Sequence, residues 1–255
     1  MSANIAIINA STVLKDAEVQ AIVPALQKQV VNDFAPVYGM SATLAFFSQS
    51  TTPPAGSWWI TVLDNSDQAG ALGYHDLTNE GLPLAKVFAA GDIQNKASWS
   101  VTVSHELLEM LADPDIALTA FAQTDATTGT LYAYEVCDAC EDDQYGYQID
   151  GISVSDFVYP AWFESFRKPS STQFDRQQHI TSPLQLLGSG YIGVFSITGG
   201  SGWTQKTGQL AAARYSSREG VGSRRERRRI PRHQWLSSKV AFSPARGFFK
   251  LTPTF

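Results

Sequence analysis

A histidine and two glutamates within five residues form the stretch of this chain best suited to chemistry. His105, Glu106 and Glu109 occur in the segment Ser-His-Glu-Leu-Leu-Glu. Residues four apart share one face of an α-helix, so His105 and Glu109 can bind one metal ion together. Glu106 would then stand beside whatever the metal binds, where a carboxylate can act as a general base. The spacing therefore predicts a metal site on a helix.

A metal site of this kind needs a further protein ligand. We prefer Glu135, because a carboxylate in an otherwise apolar and aromatic strand needs a partner to offset its desolvation. Asp138 is the reserve ligand. Asp113, eight residues after His105, is either a ligand or a group that supports the ligands or caps the helix. Asp115 is one more candidate, from its spacing of ten residues after the histidine.

His75, in the segment Gly-Tyr-His-Asp, is a second candidate catalytic residue. With Asp76 beside it, this imidazole could orient a substrate, stabilise an oxyanion or supply a metal ligand. The alternative is a histidine at the end of a strand that makes only a hydrogen bond. Both interpretations remain open at the level of the sequence.

Zinc is the expected metal, with calcium as the alternative. Two carboxylates and one imidazole nearly cancel the charge of a divalent ion, so zinc held in this way would polarise water less strongly. Oxygen-rich ligation also favours harder ions such as calcium, magnesium or manganese. The alternative to any metal is a solvated helix face whose histidine and glutamates make only hydrogen bonds.

Several elements must position these side chains. Apolar residues at helical spacing predict a long helix that begins at Asp16 and is kinked at Pro24. A second helix is predicted over 99–112, with Ser98 as its N-cap and Asp113-Pro114 at its end. Its side with Ser104, His105 and Glu109 is the more polar one. Strands are predicted at 4–10, 42–48, 58–64, 69–75, 84–90, 130–136 and 191–197.

This order of elements, together with His105-Glu106-x-x-Glu109, resembles the N-terminal subdomain of zincin metallopeptidases over roughly residues 1–115. Zincins carry H-E-x-x-H on the active helix, so Glu109 stands where they have a second histidine. In zincins the strand before that helix is an edge strand that pairs with substrate, a place that 81–90 would occupy. The resemblance implies an α+β fold with a mixed sheet, a long helix and a metal-site helix, followed by a β-rich C-terminal part. It also implies a zinc-dependent hydrolase acting on peptide bonds.

Four further motifs carry a second resemblance. Gly-Tyr-His-Asp, Ser-His-Glu-x-x-Glu-x-x-x-Asp-Pro, Glu-Val-Cys-Asp and Val-Ser-Asp-Phe-Val together resemble uncharacterised proteins of bacteria and their phages. That resemblance implies no particular activity. The alternative to a hydrolase is therefore a non-catalytic binding or structural module stabilised by zinc or calcium, for example a component of a phage particle.

The charge divides the chain into unlike parts. Of 19 basic and 24 acidic side chains, 12 basic and 2 acidic ones follow residue 186. We predict a metal-binding domain over 1–165, a β-strand and loop extension over 166–210, and a basic, flexible tail over 211–255. The run from Arg218 to Arg232 suits an acidic partner or the phosphates of a nucleic acid.

Two further expectations concern the cysteines and the cellular location. Cys137 and Cys140 are expected to be two thiols in a loop, and the acidic run of Asp138 and residues 141–143 to be a solvated turn. No run of about 18 apolar residues occurs, so we expect no membrane partner. The N-terminus lacks the pattern of a signal peptide. These features favour a cytoplasmic protein, with a virus particle as the alternative location.

Overall fold

The computed structural model describes residues 2–67, 71–78, 80–199 and 202–210. Within them the chain combines mixed and antiparallel sheets with two main helices, which agrees with the predicted α+β class. The tail predicted at 211–255, with Arg218 to Arg232, lies outside the described residues. Among the helices that are described, none is long and apolar enough to cross a membrane.

Five strands from the first part of the chain form a mixed sheet: β1 (Ser2–Asn9), β2 (Ser41–Ser48), β3 (Trp58–Leu63), β4 (Gly73–Leu77) and β5 (Pro83–Phe88). Their order is β2-β1-β3-β5-β4. All neighbours are parallel except β4, which runs antiparallel to β5 at one edge. Every residue of β5 and the second half of β1 are buried, as expected for strands covered on both faces.

The expectation that 81–90 forms an edge strand is wrong. β5 lies between β3 and β4, and β4 takes the edge. The physical reason is the short connection after β4, which returns the chain as a hairpin and places β5 against β3. The strand predicted at 69–75 begins four residues later and ends two residues later, and His75 lies at its centre.

Four helices accompany this sheet: α1 (Asp16–Lys28), α2 (Ala35–Tyr38), α3 (Ala89–Gln94) and α4 (Trp99–Ala112). At the start of α1, the backbone N–H of Lys15 donates to the side chain of Glu18 at 2.8 Å. Val19, Ile22 and Leu26 are buried against the sheet. Pro24 lies inside α1, and a π-helical stretch over Gln29–Phe34 follows it.

Helix α4 has the predicted bounds, but its environment differs from the prediction. Ser98 directly precedes the helix, yet its side chain makes no capping hydrogen bond and contacts the hydroxyl of Ser100 instead. The side expected to be polar is also buried, because the chain after β7 packs over it. Ser104 there donates to Gln29 at 2.7 Å and accepts from the backbone N–H of Ser155 at 3.0 Å.

The second half of the chain forms two antiparallel sheets. Four strands pair in the order β11-β10-β7-β6, with β6 (Thr119–Gln123), β7 (Gly129–Ala133), β10 (Tyr191–Ser196) and β11 (Trp203–Thr207). A hairpin of β8 (Tyr147–Ile149) and β9 (Ile152–Val154) turns at Asp150 and Gly151, both with positive φ. Because β10 pairs with β7, the extension 166–210 shares a sheet and a core with the residues before it.

We expect the Asp92→Asn variant to change how stability depends on pH. Burial, with smaller contributions from Asp143 and Glu141, raises the pKa of Asp92 to about 7. A folded pKa above the unfolded value means that stability is lost as the pH rises between about 4 and 7. Asparagine keeps an oxygen for the bond from Thr102, which is 2.9 Å in the parent, without the charge. The variant should exceed the parent in unfolding free energy at pH 8 by up to about 4 kcal/mol, measured by urea titration.

Asp64→Asn is the matched control with the opposite sign. Although burial opposes the effect, hydrogen bonds from Ser11 and Thr12 lower the pKa of Asp64. This carboxylate therefore contributes stability above its unfolded pKa, and its replacement should destabilise the protein at pH 8. Equal pH profiles for the parent and Asp92→Asn would contradict the assignment of a buried, destabilising charge to Asp92.

Candidate metal centre

Six titratable side chains meet in the space between α4, β4 and the chain that follows β7. Helix α4 supplies His105, Glu106 and Glu109, and β4 supplies His75. Glu135 follows β7, and Asp138 opens a short 3-10 helix over Asp138–Cys140. All six residues are at least nine-tenths buried. Two imidazoles and four carboxylates thus share one interior site.

His105, Glu109 and Asp138 form one group that could hold a metal ion. The Nε2 atom of His105 lies 3.3 Å from Oε2 of Glu109 and 3.3 Å from Oδ1 of Asp138. Ligand atoms bound at about 2.0–2.2 Å to a tetrahedral ion lie about 3.3–3.6 Å apart. Both distances from the imidazole therefore match one small divalent ion, and all three donor atoms lie within 4.8 Å of one another.

His75, Glu109 and Glu135 form a second group, whose donor atoms lie within 4.8 Å of one another, although the two carboxylates face different nitrogens of the His75 ring. Nδ1 of His75 lies 3.5 Å from Oε2 of Glu109, and Nε2 lies 3.5 Å from Oε2 of Glu135. Glu109 belongs to both groups, while its other oxygen accepts the backbone N–H of Cys137 at 3.1 Å. The residue that departs from the H-E-x-x-H pattern is thus the one that links the two groups.

Glu106 lies beside both groups and is held from two sides. Its Oε2 atom is 3.2 Å from Nδ1 of His75. On the other side the backbone of Gly73 approaches closely, since a Cβ atom at this glycine would lie 2.8 Å from Oε1 of Glu106 and 2.8 Å from Cγ2 of Thr102. The absence of a side chain at position 73 therefore makes room for this carboxylate against β4.

The site has an excess of negative charge. With all four carboxyl groups ionised and both imidazoles protonated, the six groups have a formal net charge of −2. Burial by itself lowers the pKa of His105, but the charge of Glu109 and the bond to Asp138 raise it well above its ordinary value. Burial, followed by the charge of Glu109, raises the pKa of Asp138. A divalent cation would offset the buried negative charge and would compete with the bound proton.

Two predicted ligand candidates, Asp113 and Asp115, belong to neither of these groups. Both oxygens of Asp113 accept backbone N–H groups at the end of α4, from Ala117 and Leu118 at 2.9 Å each. Asp113 is in none of the groups of donor atoms found among the described residues, and in the structure it caps the turn that follows α4. Asp115 is exposed.

Glu135, the preferred third ligand, is grouped with His75, whereas the reserve ligand Asp138 is grouped with His105.

The acidic loop is not a simple solvated turn. Asp138 is buried in the candidate site, because the 3-10 helix directs it towards α4. Asp142 accepts from the hydroxyl of Ser189 at 2.8 Å, and Asp143 accepts from the backbone N–H of Ser98 at 2.7 Å. The Asp143 bond fastens the loop to the start of α4, and the Asp142 bond fastens it to the chain before β10. The sequence showed the acidic residues but not which one points inward.

Cys137 and Cys140 are free, buried thiols next to the site. Burial raises the pKa of both thiols well above the ordinary value. They therefore pack as small apolar side chains.

Sequence reasoning missed a different cluster. Asp156, Asp175 and His179 also come together with donor atoms within 4.8 Å of one another. Asp156 lies in the Val-Ser-Asp-Phe-Val motif, to which no role was assigned. The spacing of 19 residues between the two aspartates carries no periodic signal, so only the tertiary structure could join them.

Comparisons of this chain with known proteins gave no match. No model of a protein family matches the chain. Searches of curated proteins and of solved structures likewise find no significant match.

Proposed function

We propose that this protein is a metal-dependent hydrolase of zincin-like type that cleaves peptide bonds. The observation that carries the proposal is the 3.3 Å spacing of His105 with Glu109 and Asp138, next to the carboxylate of Glu106. His105, Glu109 and Asp138 would hold the metal, with zinc as the expected ion. His75, on β4, would support Glu109, and Glu135, which follows β7, would support His75.

The residues present have defined tasks in this proposal. A divalent ion bound here would supply Lewis-acid polarisation of a substrate carbonyl and of water. Glu106 accepts the proton of the attacking water on its carboxylate and delivers it to the leaving amine. With its proton on Nδ1, His75 donates to Glu106 and fixes the orientation of the base. The edge position of β4 suits an extended peptide, which can add to the side of the sheet.

The alternative function is a non-catalytic module in which the metal only stabilises the fold. The specific observation in its favour is the closure of the site. The side chains of His105 and Asp138 are 10% and 9% exposed, and those of His75, Glu109 and Glu135 are less exposed still. A structural zinc site is closed to substrate, whereas a catalytic one keeps a position open.

Glu109→Gln should remove one equivalent of bound Zn²⁺ from the protein. Glutamine keeps an oxygen for the N–H of Cys137 but loses the charge and the ligand atom shared by both groups. Protein stripped with EDTA, reloaded with Zn²⁺ and dialysed would be assayed by elemental analysis. At this site the variant should bind Zn²⁺ at least about tenfold more weakly than the parent does.

Asp113→Asn is the matched control for this measurement. It removes a carboxylate from the end of the same helix, where both oxygens accept backbone N–H groups. It should lower stability but leave the zinc content unchanged. Loss of zinc in Asp113→Asn, or full zinc content in Glu109→Gln, would refute the assigned ligands.

Glu106→Gln should abolish hydrolysis and leave the metal bound. The expected fall is at least about 100-fold, the usual contribution of a general base. Zinc-loaded parent and variant would be compared on casein and on a mixture of quenched fluorescent peptides, with zinc content measured on the same samples. Glu164→Gln changes a carboxylate that pairs with Arg167 near the surface and should alter neither quantity.

The outcomes separate the two functions. Hydrolysis that persists in Glu106→Gln rules out this residue as the base. If the zinc-loaded parent hydrolyses neither substrate, and chelation lowers its melting temperature, the structural module is favoured instead.

A further inference from the structure

We infer that Asp156, Asp175 and His179 form a second metal site, which binds a divalent ion of the zinc class and fastens the chain after β9. This inference is independent of the proposed hydrolase. It concerns three residues that share no member with the groups around Glu109.

The two aspartates are buried with their carboxyl groups facing each other. Both side chains are 0% exposed, and the Asp156 and Asp175 carboxylates approach closely enough to interact directly. Oδ1 of Asp156 accepts backbone N–H groups from Phe157 at 2.8 Å and Gln177 at 3.1 Å. Its Oδ2 atom is fully buried and receives no hydrogen bond from any N–H or hydroxyl group in the described part of the chain, and the Asp175 carboxyl group is its acidic neighbour. This oxygen points towards His179 and Asp175.

The imidazole completes a set of three donors. Nδ1 of His179 lies 3.6 Å from Oδ2 of Asp156 and 3.8 Å from Oδ2 of Asp175. This spacing matches ligands bound at about 2.0–2.2 Å to one ion with angles somewhat wider than tetrahedral. The His179 side chain is 40% exposed, which leaves a path for the ion and for a completing water.

Charge and donor type decide which ion fits. With both carboxyl groups ionised and the imidazole neutral, the three side chains of this group carry a charge of −2, which a divalent ion cancels. Calcium takes about 6–8 oxygen ligands and does not select imidazole. One nitrogen and two carboxylate oxygens instead suit zinc or a similar transition ion. The competing explanation is a proton shared between the two buried carboxyl groups.

The position of the site explains what an ion would do there. Residues 164–190 contain no helix or strand of their own. They join the preceding chain through a bridge between Val158 and Asp175 and through a bond from the N–H of Arg176 to the carbonyl of Phe157 at 2.9 Å. Asp175 also accepts the N–H groups of His179 and Ile180. An ion between Asp156 and Asp175 would therefore clamp this irregular stretch to the core.

The test compares the zinc content of the full chain with that of two variants, His179→Ala and Asp156→Asn. The probe is Zn²⁺ added to EDTA-treated protein, followed by dialysis and elemental analysis. Each variant should bind one equivalent less than the parent. His179→Ala removes a half-exposed ligand and keeps the backbone bonds of both aspartates, so it remains informative if Asp156→Asn fails to fold.

A melting-temperature measurement in Glu109→Gln protein distinguishes zinc bound at this site from zinc bound around Glu109. In Glu109→Gln protein, EDTA should still lower the melting temperature by about 3 °C or more, and addition of His179→Ala should eliminate that response. Unchanged zinc content in His179→Ala overturns the inference. So does an Asp156→Asn protein that is more stable than the parent with the same zinc content, since asparagine imitates a protonated aspartic acid.

Discussion

The burial of four carboxylates with two imidazoles between α4 and β4 is the constraint on which the rest of this structure depends. Each of these groups costs free energy when it leaves water without a partner. Glu109 meets both histidines and a backbone N–H, so it links the helix, the edge strand and the chain after β7. The surrounding fold brings these imidazoles and carboxylates together from three separate parts of the chain.

The order of the strands in the five-stranded sheet brings residues of the site together. A hairpin carries β4 back along the outside of β5, and this reversal places His75 above the helix that holds Glu106. Gly73 allows the strand to approach the helix because it has no side chain in the space of the glutamate. A different order of the same strands would separate His75 from Glu109, and the second group of donors would not exist.

The C-terminal half of the described chain also contains buried carboxyl groups. The stretch from 164 to 190 has little regular structure, so few backbone ladders hold it. Its contacts depend on buried aspartates that accept backbone N–H groups, such as Asp175 with Ile180 and Asp156 with Gln177. Carboxylates replace the hydrogen bonds that strands would otherwise supply. Such buried carboxylates, grouped with a histidine, are residues that could hold a cation.

Local patterns predicted the elements that are locally determined. The helix over 99–112 follows from its apolar periodicity and from Asp113-Pro114, which ends it, and the structure has the same bounds. Most strands of the first sheet were also predicted to within a few residues. The hairpin at Asp150 and Gly151 was missed, although an Asp-Gly pair between apolar residues is a turn signal.

The sequence by itself determined that His105, Glu106 and Glu109 share one helix turn, because helical geometry depends only on spacing. Only the tertiary structure decided which distant residues join them. Strand order placed His75 rather than Asp113 at the site, and a 3-10 helix directed Asp138 to His105 while Glu135 met His75. Asp156 and Asp175 became neighbours for the same reason. Contacts between remote segments are set by the packing of the whole chain, which local spacing does not record.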